Sequence, residues 1–253
     1  MTFFKSSKHQ RLLWSLLLLS VGAAAGFGLG IFCGAEPPVG CRESDLTPVP
    51  DESFVSPASA SSVETSPEPE PMPEKWVCLT FDDGPTPGVT EWILSTLDKY
   101  DAKATFFVLG KNVEMYPDLY QRILDAGHRV GNHTYSHQKG WGMSLERYTE
   151  DVDFANDLIH SELFRPPYAR ITPAQARFLG QRYKLVMWDV LSRDYSRSLS
   201  PRKCLKNVTK HLEPGAIVVF HDSEKSFRNM RYALPRTLDK IRKLGLKCKT
   251  IEL

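Results

Sequence analysis

No two cysteines in this sequence stand three residues apart. The five, Cys33, Cys41, Cys78, Cys204 and Cys248, are scattered over 253 residues, which argues against a cysteine-bound zinc module. Nor is there a cluster of basic residues interleaved with aromatics, so no nucleic-acid partner is expected. Long uncharged apolar runs are scarce as well; the one that stands out is LLWSLLLLSVGAAAGFGLGIFC, residues 12–33, with 22 positions. As a helix it measures about 33 Å against a hydrocarbon core of about 30 Å. It is not amphipathic, which excludes an ordinary core helix. Lys5, Lys8 and Arg11 precede it, so residues 1–11 are expected in the cytoplasm and the run is expected to be a transmembrane signal anchor. The competing readings are a cleaved signal peptide, whose apolar core is usually shorter, and a lipid anchor at Cys33, where the bulky Phe32 fits poorly.

Large apolar residues are then sparse, and positive charge nearly missing, in residues 34–74. Nine Asp/Glu stand against Arg42 alone, among many Pro and Ser. Such a stretch buries too little apolar surface to offset its ordering entropy and reads as a disordered, extended linker. Residues 75–253 carry 28 Lys/Arg and 21 Asp/Glu, and are expected to be a single catalytic domain. A mild positive charge of this kind suits an anionic surface such as a cell wall.

Within that domain strand and helix signals alternate. Strands are expected at 76–81, 104–110, 128–134, 163–168, 184–190, 216–222 and 246–253. Helices are expected at 88–100, 117–127, 144–163, 172–183, 201–212 and 229–244, with Ser144 capping the third and Pro235 disturbing the last. The alternation predicts parallel pairing. Polar groups gather where strands end: Asp82 and Asp83, His133 and His137, Arg165 to Tyr168, Asp189, then His221 and Asp222. Carboxyl ends of strands are where (β/α) barrels build their sites. Cys78 and Cys248 fall in the first and last strands, where two buried thiols are the expected state and a disulfide the alternative.

One carboxylate and two imidazoles four residues apart supply three ligands and leave a fourth position open, as a catalytic zinc site requires. A spare carboxylate remains to accept a proton. That set points to metal-assisted hydrolysis. Each piece alone has a plainer reading: two acids before Gly-Pro make a turn, and two prolines in RPPY make a rigid extended segment. His9, His128, His160 and His211 match no such pattern and read as structural.

Taken in order, TFDDGP (80–85), HTYSH (133–137), RPPY (165–168), SRDY (192–195) and VFHD (219–222) resemble the five motifs of the polysaccharide deacetylases, carbohydrate esterase family 4, over nearly all of residues 75–253. The resemblance implies an α/β fold, a distorted (β/α) barrel of about seven strands. It implies that Asp83, His133 and His137 bind a divalent metal, zinc first and cobalt as the alternative. Asp82 would be the general base and Arg165 its partner; His221 would be the general acid, partnered by Asp194. The Tyr168 backbone N–H would face the oxyanion, and Tyr195 and Val219 would line the acyl pocket. Three positions depart from the family's usual pattern: Leu191 for Asp, Tyr195 for Trp and Ala169 for Gly. The implied activity is metal-dependent removal of N-acetyl groups from an amino-sugar polymer outside the cytoplasm, peptidoglycan before chitin-type oligomers. The alternatives are a carbohydrate O-acetyl esterase and an inactive glycan-binding wall protein.

Overall fold

The computed structural model describes residues 75–252. The apolar run at 12–33 and the acidic linker at 34–74 lie outside them, with the expectations attached to both. No helix among the described residues is long and apolar enough to cross a membrane.

Eight short strands form the sheet: β1 (Trp76–Asp82), β2 (Ala104–Val108), β3 (Arg129–Asn132), β4 (Leu163–Phe164), β5 (Lys184–Leu185), β6 (Val190–Leu191), β7 (Ile217–His221) and β8 (Lys247–Cys248). Seven helices connect and cover them: α1 (Val89–Asp98), α2 (Gly110–Met115), α3 (Pro117–Asp125), α4 (Leu145–Ile159), α5 (Pro173–Leu179), α6 (Pro201–Thr209) and α7 (Glu224–Lys243). Every pairing is parallel, in the order β5-β4-β3-β2-β1-β7-β6, with β8 beside the start of β1. The alternation predicts this parallel pairing, and the sheet is the distorted (β/α) barrel that the family resemblance implies. It has one seam: the edge strands β5 and β6 do not pair. The expected strand at 184–190 is therefore two strands, and residues 186–189 cross from one sheet edge to the other. Val186 N–H donates to Phe164 (2.8 Å) and Asp189 N–H to Ile217 (3.0 Å), tying the crossing chain to both edges.

Alternation along β1 divides its side chains between two environments. Val77, Leu79 and Phe81 pack with Ile93, Leu97, Leu234 and Leu238 under the helices. Phe81 stacks on Phe106 at 5.0 Å and Phe220 at 6.1 Å, one ring from each neighbouring strand. Burying each such ring contributes about 1.5–3 kcal/mol before entropy is charged against it. Cys78 instead points inward, packing with Phe107, Leu163, Val186 and Ile217. Thr80 and Asp82 share that inward parity, so the chain itself delivers Asp82 to the barrel axis. Cys78, Cys204 and Cys248 are free thiols.

Helix starts follow their caps. Ser144 accepts from Arg147 N–H, Ser200 precedes Pro201 and accepts from Lys203 N–H, and Thr172 and Gln175 cap one another reciprocally. Two helices differ from expectation. α2 is six residues with one buried apolar side chain, Val113, beside Gly110, too short to show a helical period. α7 begins at Glu224, five residues before the expected start, its first turn EKSF having Phe227 as its single apolar residue, and it runs unbroken through Pro235. The carbonyl deprived of a partner there belongs to the exposed residue Arg231, where water can meet it.

Candidate active site

The floor of the site is an ion pair with no exposure to speak of. Arg165 is 0% exposed and Asp82 3%. Arg165 Nη1 donates to Asp82 Oδ1 at 2.6 Å and to Thr80 Oγ1 at 2.8 Å. Its Nε donates to the Val186 carbonyl at 3.2 Å. The Phe107 ring lies 4.0 Å from the guanidinium carbon. Burial pulls the Arg165 pKa down while the Asp82 charge and hydrogen bond pull it up; a guanidinium starts so high that it stays charged. A charge so enclosed needs this fixed partner. Arg165 immediately follows β4 and Asp82 ends β1, so two separate strands must be in register before the pair can form.

Strand parity would send Asp83 to the outer face, opposite Asp82. A left-handed turn at Asp83, φ 81°, redirects it. Its N–H donates to the Phe107 carbonyl and its own carbonyl accepts from Asn112 Nδ2, which hold the turn. Gly84 follows because nothing larger fits: a Cβ there would come 2.1 Å from Asp222 Oδ2. Asp83 Oδ1 then lies 3.2 Å from His137 Nε2 and 3.7 Å from His133 Nε2.

The three donors fit a divalent cation. They converge within 4.8 Å of one another. Asp83 Oδ1 is buried and accepts no hydrogen bond, a costly state for a carboxylate that no cation compensates. His133 Nδ1–H donates to the Arg165 carbonyl at 2.7 Å, which leaves the Nε2 lone pair directed at Asp83. Burial pulls the His133 pKa to about 4 against the pull of Asp82 and Asp83, so its imidazole is neutral and able to ligate. Burial acts to raise the Asp83 carboxyl, but the His137 contact and the charge of His221 hold it far below the carboxylate range. His137 is fixed by Tyr168, whose hydroxyl lies 3.2 Å from Nδ1.

Across the rim, Asp194 grips His221 twice. Oδ1 meets Nδ1 at 2.8 Å and Oδ2 accepts from the backbone N–H at 2.8 Å. Burial acts against the charged imidazole, but Asp194, with Asp83 and Asp82 behind it, pushes the His221 pKa up to about 9. A cation at Asp83 would oppose that rise. Asp194 is fully buried and its loop is pinned by Asn229 Nδ2 on the Asp194 carbonyl. The Tyr195 ring packs edge-on to His221 at 4.8 Å. Val219 lies two residues before His221 on the same face of β7, beside Thr80 and Leu191, with no exposed surface.

Asp189 does not join this rim. Its Oδ2 accepts from Ile217 N–H at 2.9 Å, so it clamps β6 to β7. Three residues that sequence reasoning left without a role hold the loops. Asp151 on α4 accepts from the Ser136 hydroxyl at 2.6 Å, fixing the turn that carries His137. Thr80 and Asn229 serve Arg165 and Asp194. Asp222 receives the Thr90 hydroxyl at 2.6 Å, and burial pushes its pKa up to about 8 in spite of that bond. The visible signal for Thr80, Asn229 and Asp222 is a polar residue at a buried position, which reads on its own as an ordinary core position. Of the eight described non-glycine residues with positive φ, six are Asp83, Thr134, His137, Tyr168, Ala169 and Arg193. All six lie in or beside the motif segments, where backbone strain concentrates when a fold over-determines a site.

Comparison with known proteins gives the following. A family model described as polysaccharide deacetylase matches residues 70–184. A peptidoglycan-N-acetylglucosamine deacetylase of Listeria monocytogenes is 32% identical over 76% of this chain and 41% of its own length. One from Bacillus cereus is 32% identical over 72% of this chain and 88% of its own. The solved structure of the peptidoglycan deacetylase PdaC from Bacillus subtilis superposes with a TM-score of 0.65 at 30% identity, covering 71% of this chain and 89% of that one. The chain thus spans about two fifths of the length of the Listeria relative.

Proposed function

This chain belongs to the polysaccharide deacetylase family, and from that premise we propose that it hydrolyses N-acetyl groups on an amino-sugar polymer of the cell envelope, peptidoglycan first. The observation that carries the reading is a divided proton machinery. Asp82 is held by Arg165 on one side, His221 by Asp194 on the other, and the Asp83, His133 and His137 donors converge at the same strand ends.

Those three side chains would hold the divalent cation, zinc first and cobalt as the alternative, which supplies Lewis-acid polarisation of the acetyl carbonyl and a more acidic water. The protein's own groups do the rest. Arg165 occupies Asp82 Oδ1, and Oδ2 has no hydrogen bond among the described residues, so it is free to take the proton of the attacking water. The Tyr168 N–H stabilises negative charge on the former carbonyl oxygen, a contribution of about 2.7–4 kcal/mol for one such donor. An amine is a poor leaving group, so nitrogen must be protonated before the C–N bond breaks. His221 delivers that proton, and Asp194 keeps the imidazole charged and correctly turned. Collapse breaks the C–N bond and gives acetic acid and the free amine, which at neutral pH become acetate and ammonium; return of the proton from Asp82 to His221 restores the enzyme. Tyr195 and Val219 would bound the acetyl methyl group.

The apolar run at 12–33 would tether the protein with the domain outside the cytoplasm. Its 41-residue acidic spacer would reach on the order of 120 Å if extended. The test is acetate release by the full-length protein from peptidoglycan, chitooligosaccharide and acetylxylan, with and without chelator. Peptidoglycan should release acetate, chelation should abolish this, and Zn²⁺ should restore it. Asp82→Asn should lower turnover by about 10²–10⁴ while zinc stoichiometry stays near one. Full activity in metal-stripped protein refutes the mechanism. Release from acetylxylan alone makes it an ester hydrolase, and binding without release makes it a wall-binding protein.

A further inference from the structure

Beside His137 the rim opens into a cavity of about 450 Å³, lined by His137, Gln138, Lys139, Tyr168 and Arg170. Neither Lys139 nor Arg170 has a carboxylate partner among the described residues, and no acid lines the cavity. Arg170 instead lies over the Trp141 ring at 5.4 Å. Trp141 is 52% exposed and Tyr168 62%, a large aromatic surface for a soluble domain to leave in water.

This surface is built rather than loose. Gly140 N–H donates to the Arg170 carbonyl at 2.7 Å, and Trp141 Nε1–H to the Ile171 carbonyl at 3.2 Å. Gln175, 1% exposed, donates to the Gly140 carbonyl at 3.0 Å from beneath. A Cβ at Gly140 would fall 2.3 Å from Gln175 Oε1, so the two segments approach as closely as they do only because that residue is glycine. Tyr168 and Ala169 both hold left-handed backbone, φ 57° and 56°. That pair of turns sends side chains two residues apart in different directions, Tyr168 to His137 and Arg170 to Trp141.

We infer that Lys139, Arg170 and Trp141 form a subsite for a carboxylate-bearing sugar adjoining the unit that loses its acetyl group. The inference rests on the proposed deacetylase reading and refines its substrate class. A guanidinium stacked on an aromatic ring is already ordered, so less freedom is lost when it meets a carboxylate in its forked geometry. The exposed indole face offers a flat apolar surface for a sugar ring. Neutral chitooligosaccharides present nothing to the two cations. Glycan in which acetamido sugars alternate with sugars bearing an acidic ether or peptide does.

The test uses the full-length protein carrying Asp82→Asn to halt turnover, loaded with Zn²⁺. It is titrated calorimetrically with a disaccharide of N-acetylglucosamine and N-acetylmuramic acid, and with the same disaccharide whose carboxyl is capped as the methyl amide. The acid form should bind roughly tenfold tighter, as a charge-assisted contact predicts. Arg170→Gln with Lys139→Gln should bring that ratio close to one, and added salt should shrink it. Equal affinity for the two forms, a ratio unchanged in the double variant, or no binding of either form overturns the subsite. Acetate release by the protein with native Asp82 is scored separately. Acid preference without release sinks the hydrolase reading alone, and release without acid preference sinks the subsite alone.

Discussion

Arg165 and Arg170 are five positions apart, and the fold uses their identical side chains in opposite ways. The first is sealed in the barrel, bonded to Asp82, Thr80 and Val186 and covered by Phe107. The second is exposed, touching a tryptophan and no carboxylate. Between them a pair of left-handed residues turns the chain from floor to rim. On the proposed reading the closed floor suits a general base, which works best where water cannot compete for its charge and one oxygen is already committed, and the open rim would let polymer pass across it. Buried charge therefore comes paired, and exposed charge is left for a ligand.

The largest test of this contrast is Arg165→Met. It leaves Asp82 as an unpaired buried carboxylate and should cost about 3–5 kcal/mol of folding stability, read from denaturant unfolding of the domain. Adding Asp82→Asn should return a good part of it, since the two changes share one interaction. A loss below about 1 kcal/mol would mean that the floor is as solvated as the rim.

A middle-sized effect concerns His221, at the border of floor and rim. Its pKa is raised to about 9 in the folded protein from about 6.5 in an unfolded chain. The stability this contributes is complete below about pH 6.5 and disappears as pH rises through about 9. In metal-free protein the pH dependence of unfolding should show that decline, on the order of 3 kcal/mol. His221→Ala should flatten it. An unchanged slope in the variant would break the assignment of the Asp194 pair as a coupled acid.

The smallest effect belongs to the hinge between the two regions. Ala169 sits at φ 56°, where an alanine pays about 1 kcal/mol for its Cβ and glycine does not. Ala169→Gly should leave stability unchanged or raise it by up to about 1 kcal/mol, the gain being trimmed by the looser unfolded chain. A melting temperature lowered by several degrees would show that the alanine methyl is needed to hold Tyr168 and Arg170 apart.

The strand–helix alternation and the clustering of acids and imidazoles at strand ends are legible in the chain, and the period-two pattern of β1 carries Asp82 inward once the core face is known. Each is a local pattern, with period two along β1 and a chemical set that has few other uses. The cap at Ser144 is local in the same sense. What could not be read are features set by distant partners. The break between β5 and β6 follows from which sheet edges residues 186–189 must reach, and the placement of Asp189 as a clamp follows with it. α2 and the first turn of α7 carry too few apolar residues to announce themselves.

Sequence by itself determined which groups can do chemistry here: carboxylate, imidazole and guanidinium types in an order that has no simpler explanation. Tertiary structure decided which way each one points. Asp83 reaches His133 and His137 because a left-handed turn, held by the Phe107 carbonyl and Asn112, overrides strand parity. Arg165 meets Asp82 while Arg170 meets Trp141 because β4 ends between parallel neighbours and the following turn breaks out of them. Residue type is a property of one position, whereas direction and burial depend on segments far apart in the chain. Burial in turn separates an arginine that must be paired from one that is free to bind.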